Sequence, residues 1–109
     1  MSKSLNFNNV TKHYLNITFA DEKATTILVC MPTKSLLREL TELTANLNAE
    51  NDLGALDELY NICAKTMSRN KTGKVITKEF LENVFDFEDV LIFLKGYMSF
   101  VGEVAGQKN

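Results

Sequence analysis

A single proline divides this chain into two hydrophobic periods, and that change of period constrains its fold more than any other feature. Before Pro32, the apolar residues Leu15, Ile17 and Phe19 alternate with Asn16 and Thr18, the period-two signature of a half-buried strand. Ala20 to Ala24 is a polar connection. Thr25-Thr26-Ile27-Leu28-Val29-Cys30 then supplies a β-branched second strand, so the segment reads as a hairpin. An isolated hairpin is only marginally stable. It must pack on the rest of the chain, gain a strand from the Asn6–Val10 region, or pair with another chain.

After Pro32 the period becomes helical. Leu36, Leu40, Leu43 and Leu47 recur at i, i+4, i+7 and i+11, with Leu37 widening the stripe, which predicts an amphipathic helix from about Thr33 to Leu47. Asn48 to Asp52 is a polar break. A second helix is predicted from Leu53 to Met67, with Leu53, Leu56, Tyr60, Cys63 and Met67 on one face. Asn70 to Lys74 reads as a turn around Gly73, whose backbone is permissive. Val75 and Phe80 are expected to return the chain to the core. Thr77 is placed to cap a short helix ending near Val84. Asp86, with Asp89 three positions on, is placed to cap a last helix from Phe87 to about Val104.

The expected architecture is α+β: an N-terminal β-hairpin, with a third short strand left open, followed by a bundle of about four helices. A chain of 109 residues with 45% apolar content suits one modest core, so a single domain is expected over residues 1–104. Its strand region spans about 5–31 and its helical body 33–104, with a flexible tail from Ala105 to Asn109. A net charge of −2 removes any global electrostatic case for nucleic acid. Cys30 and Cys63 lack CxxC or CxxH neighbours and are expected to be reduced, buried small apolar residues. The start MSKSLNFNNV has no apolar signal core, so the chain is expected to stay in the cytoplasm of the cell that makes it. The apolar run from Val90 to Val101 is interrupted by Lys95 and Gly96 and falls short of the ~20 residues that span a bilayer, so no membrane segment is expected.

Residues 68 to 79 have the spacing of a calcium loop. With Gly73 at position 6, Ser68, Asn70 and Thr72 occupy ligand positions 1, 3 and 5, and Glu79 falls at position 12. The chemistry does not follow the spacing. The first three ligands are neutral, position 9 is Ile76, and Arg69, Lys71, Lys74 and Lys78 surround the single acid. A divalent ion there meets net repulsion, so no metal is expected.

The same stretch is a candidate basic patch made of Lys65, Arg69, Lys71, Lys74 and Lys78. It suits phosphate contacts, yet it lacks the interleaved aromatics that stack on bases, and a solvated turn explains it as well. Charge elsewhere is also in blocks: acids at Glu39, Glu42, Glu50, Asp52, Asp57 and Glu58 precede the basic run, and Glu79, Glu82, Asp86, Glu88 and Asp89 follow it. Such blocks either pair within the chain or steer docking to another one. Catalysis has little foothold: His13 is the only histidine, and no HExxH, GxSxG or GxGxxG occurs. A non-enzymatic protein without a cofactor is expected.

The last helix carries two apolar stripes. Phe87, Val90 or Leu91, Leu94, Met98 and Val101 form one, and Phe93, Tyr97, Phe100 and Val104 form the other. A helix apolar on most of its circumference must be buried on most of it. Either it is a central core helix, or the stripe of Phe93, Tyr97, Phe100 and Val104 binds a partner. Aromatic side chains suit an interface because they bury large area with few rotors.

The stretches NFNNVTKHYLNITFADEKATTILVCMPTK and LYNICAKTMSRNKTGKVITKEFLENVFDFEDVLIFLKGYMSFVGEV together resemble tail assembly chaperones of long-tailed (siphovirus-type) phages and related prophages of Gram-positive bacteria. The order also matches: a strand-rich start, a helix opening after M-P-T-K, and a helical body ending in an aromatic-rich segment. The resemblance implies a non-enzymatic protein of the host bacterial cytoplasm. Such a protein binds and solubilises the tape measure protein and helps recruit tail tube subunits. It implies one further partner, a frameshifted longer form of the chain itself, whose slippery stretch would fall at Gln107-Lys108-Asn109. A homo-oligomer is a separate expectation, from the hairpin's option to pair with another chain. An alternative from another class is a small nucleic-acid-associated regulator using the basic turn at 65–78.

Overall fold

The computed structural model describes residues 4–8, 10–45 and 53–106. Within them the chain is α+β: a two-stranded antiparallel hairpin, β1 (Tyr14–Thr18) and β2 (Thr26–Cys30), precedes four helices. These are α1 (Lys34–Ala45), α2 (Leu53–Met67), α3 (Lys78–Val84) and α4 (Phe87–Ala105). The end of the first predicted helix at Leu47, the break at 48–52 and residues 107–109 of the expected tail lie outside the described residues. Ala105, also assigned to that tail, belongs to α4.

The hairpin register runs without a bulge from Tyr14 opposite Cys30 to Thr18 opposite Thr26. Leu15 and Ile17 lie on the face that meets the core, beside Ile27 and Val29. The connecting loop is closed by Asp21, whose carboxylate accepts Thr25 N–H at 2.8 Å and Thr25 Oγ1–H at 2.6 Å. Those bonds hold its carboxyl below the ordinary value, because they favour the charged form. They also hold Ala24 at a φ of 47°, a left-handed conformation that costs a non-glycine residue about 1 kcal/mol.

The helices begin where local chemistry starts them. Thr33 Oγ1 accepts Leu36 N–H at 3.2 Å beside Pro32, and Thr77 Oγ1 accepts Phe80 N–H at 3.0 Å. Asp86 and Asp89 exchange side-chain and backbone bonds in a capping box, so the register of α4 is fixed from its first turn. The hub of the core is α2, which packs against α1, α3, α4 and β2. It buries Leu59, Ile62, Ala64 and Thr66 in addition to Tyr60, Cys63 and Met67, more of its circumference than the single predicted face. Among the buried side chains, Phe19 from the hairpin meets Phe80 edge-on at 5.1 Å and Phe85 at 5.6 Å. That contact joins the strands to the α3–α4 junction.

The chain re-enters the core after Gly73 one residue later than expected. Val75 is 73% exposed, whereas Ile76 is only 4% exposed. Ser68 decides this: its Oγ accepts Ile76 N–H at 2.9 Å and lies 3.0 Å from Ile76 O, so the backbone at Ile76 is pinned and its side chain turns inward.

Candidate docking surface

The α2–α3 connector holds the calcium-loop spacing, and its geometry shows what those oxygens do. Asn70 is buried and uses its whole side-chain amide. Nδ2 donates to Met67 O at 2.8 Å and Lys74 O at 2.7 Å, while Oδ1 accepts Lys74 N–H at 2.9 Å and Thr72 Oγ1–H at 3.1 Å. Gly73, at φ 73°, closes the turn by donating to Asn70 O at 3.1 Å. The residues at ligand positions 1, 3 and 5 therefore spend their oxygens on the loop itself. Among the described residues there is no group of three or more His, Cys, Asp or Glu side chains able to hold a metal ion.

The connector has a second task, along the edge of β2. Cys30 N–H donates to Arg69 O at 2.8 Å, and Lys71 N–H donates to Leu28 O at 2.9 Å. Arg69 to Lys71 thus lies along the outer edge of β2 as a one-bridge extension of the sheet, with Val29 opposite Asn70. The third strand left open at Asn6–Val10 does not form among the described residues of that segment, where Leu5, Phe7 and Val10 are exposed.

The five basic side chains each have a partner within the chain. Lys65 pairs with Glu39 of α1 at 2.9 Å, and Lys78 with Asp57 of α2 at 2.6 Å. The hydrogen bond that Lys78 donates to Asp57 raises its pKa above the ordinary value. Arg69 points two nitrogens at Met31 O, at 3.2 and 3.1 Å, and Lys71 stands 5.6 Å from the centre of the Tyr14 ring. Lys74 acts on Asp21 through charge. Both of the described ion pairs link the basic block to the acidic block that precedes it.

On α4, of the two roles open to the aromatic stripe, core or interface, the fold uses Phe93, Tyr97 and Phe100 in the core. Phe93 and Tyr97 are buried, and Phe100 is half-buried against the core. Val104 is half-buried. Phe93 stacks on Tyr97 at 5.5 Å, Tyr97 meets Phe100 at 6.0 Å, and Tyr97 OH donates to Cys30 O at 2.7 Å. Burial pushes the Tyr97 phenol above its ordinary range. The buried arc, Val90, Phe93, Leu94, Tyr97 and Val101, takes the inner members of both stripes. Its two flanks stay outside. Phe87 and Leu91, one turn apart, are 44% and 36% exposed on one flank, and Ile92 is 64% exposed on the other. Of the pair Val90 or Leu91 that the spacing leaves open, Val90 is the buried member, and Phe87 of the same stripe stays partly outside. The missed signal was the overlap of the stripes, whose shared middle lies at the centre of the buried arc at about 100° per residue.

Ile92 borders a groove of about 310 Å³ between α4 and β1, which Asp89, Phe93 and Gly96 also line. A depression of about 440 Å³ between α1 and α2 carries the Lys65–Glu39 pair. Among the described residues no helix is long and apolar enough to cross a membrane. Both cysteines are free: Cys30 is half-buried, and burial raises the thiol of Cys63 to about 12. His13 is exposed just before β1. In comparisons with protein-family models, curated proteins and solved structures, nothing matches the chain.

Proposed function

We propose that the chain is a phage tail assembly chaperone, a non-enzymatic protein of the host bacterial cytoplasm that binds and solubilises the tape measure protein and helps recruit tail tube subunits. The observation that carries this reading is the exposed apolar flank of α4, where Phe87 and Leu91 stand one turn apart. A long, largely helical partner is bound through apolar anchors at i and i+4 spacing, and such anchors work best on a rigid element. Here α4 is held at its start by the Asp86–Asp89 box and in its middle by Tyr97 on Cys30. The sequence resemblance to tail assembly chaperones supports the same partner.

The test is co-expression with the tape-measure-like protein encoded beside this chain. Wild type is expected to raise that protein's soluble fraction. The double variant Phe87→Glu, Leu91→Glu is expected to keep its fold and lose the effect, whereas Phe93→Asp is expected to unfold the domain. A folded double variant that still solubilises the partner overturns the docking flank, and a salt-dependent gel shift with duplex DNA overturns the chaperone assignment.

A further inference from the structure

The hairpin has one edge covered and one edge open. Phe19 N–H donates to Thr25 O at 2.8 Å, which sets the alternation along the ladder. Leu15, Ile17 and Phe19 turn their backbone groups toward β2, and Tyr14, Asn16 and Thr18 turn theirs outward. On β2 the same alternation sends Leu28 and Cys30 outward, where Arg69 and Lys71 receive them. Among the described residues, no backbone group bonds to the outward-facing N–H or C=O of Tyr14, Asn16 or Thr18. Natural edges of this kind are blunted with lysine, proline or a bulge. The strand YLNIT has none of these.

We infer that this edge pairs with the same edge of a second copy, antiparallel about a two-fold axis at Asn16, joining two hairpins into one four-stranded sheet. The register follows from hydrogen-bond parity. Asn16 faces Asn16, Tyr14 faces Thr18 and Leu15 faces Ile17, so every outward-facing group on one copy meets an outward-facing group on the other. Paired residues share a face, so Leu15 and Ile17 of the second copy point to the helix side of the sheet. There the groove beside Ile92 and Gly96 receives them, and glycine at 96 leaves open space above the helix. Charge selects the direction. Antiparallel pairing brings Lys12 of one copy level with Ala20 of the other, next to Asp21 and Glu22, whereas a parallel pair sets Lys12 beside Lys12. The pairing does not rest on the tape-measure assignment, because Phe87 and Leu91 lie on the opposite flank of α4.

Sedimentation analysis over a range of concentrations tests this directly. Wild type is expected to dimerise, and Asn16→Pro, which deletes the two hydrogen bonds at the axis without removing one from the hairpin, is expected to weaken the dimer by about thirtyfold. A wild type that stays monomeric at all concentrations overturns the proposal, as does a dimer whose affinity the proline leaves unchanged. Should the proline unfold the chain, oxidation in a Cys30→Ser background decides. Asn16→Cys is expected to cross-link to itself and Tyr14→Cys is not, since only residue 16 meets its own copy. Failure of Asn16→Cys to cross-link overturns the register.

Discussion

The two outer edges of the hairpin have the same length and opposite fates. The β2 edge is covered from within the chain, by Arg69 and Lys71 of a loop that Asn70 holds rigid. The β1 edge has a regular register, no charge and no backbone partner among the described residues. The difference teaches where this small fold places its polar order. The helix connector that looks like an ion site is the third rail of the sheet, and its cations end up flanking the hairpin. Lys71 over Tyr14 and Arg69 on Met31 are by-products of that placement.

The sharpest way to break the comparison is to put proline at equivalent points of both edges. Cys30→Pro removes the N–H that bonds Arg69 O and is expected to cost about 3 kcal/mol. Asn16→Pro on the open edge is expected to cost the monomer less than about 1 kcal/mol, since no internal bond is lost. Urea unfolding at low protein concentration measures both. Equal costs on the two edges would erase the distinction.

The next largest effect is expected at Asn70. Asn70→Ala leaves Met67 O, Lys74 O and Lys74 N–H without their partner and is expected to destabilise by about 2–3 kcal/mol. Asn70→Asp adds the acid that a calcium loop would use at position 3, yet it turns a carboxylate oxygen toward two carbonyls. It is expected to destabilise as well, with no calcium-dependent recovery in a thermal melt. A calcium-induced rise in stability would mean that the loop is a metal site after all.

These two predictions also mark what was legible in the sequence. The capping box and the helix starts were readable because Thr77 and Asp86 act within three residues of themselves. The hairpin was readable because side-chain alternation reports burial on one face. Which edge would be covered was not readable, because Arg69 and Lys71 reach β2 through backbone groups that every residue carries. The choice on α4 between core and interface was open in the sequence for a related reason. Phe93, Tyr97 and Phe100 look like an interface by composition, and only the position of β2, where Cys30 O meets the Tyr97 hydroxyl, decides that they face inward.

A smaller effect is expected from Tyr97→Phe, which keeps the ring stack and removes the bond to Cys30 O at the end of the covered edge. The loss is expected to be about 1 kcal/mol, measured by denaturant unfolding, and Tyr60→Phe, which removes the bond to Phe85 O away from the sheet, serves as the reference. The smallest effect concerns the loop that joins the two edges. The Asp21 carboxyl is held below its ordinary value by Thr25, so its contribution is present above the unfolded pKa of about 3.9 and lost as pH falls through the lower folded value. Asp21→Asn is therefore expected to be less stable than wild type at neutral pH and to converge with it in acid. A stability gap that does not close at low pH would remove the role given to Thr25.

Amide hydrogen exchange at high dilution, where any pairing between copies is absent, tests the contrast between the edges most directly. The amides of Cys30 and Lys71 are expected to be protected, and those of Tyr14, Asn16 and Thr18 to exchange at the rate of open backbone. Protection of the β1 set equal to that of Cys30 and Lys71, or rapid exchange of both sets, would contradict the assignment of one covered edge and one open one.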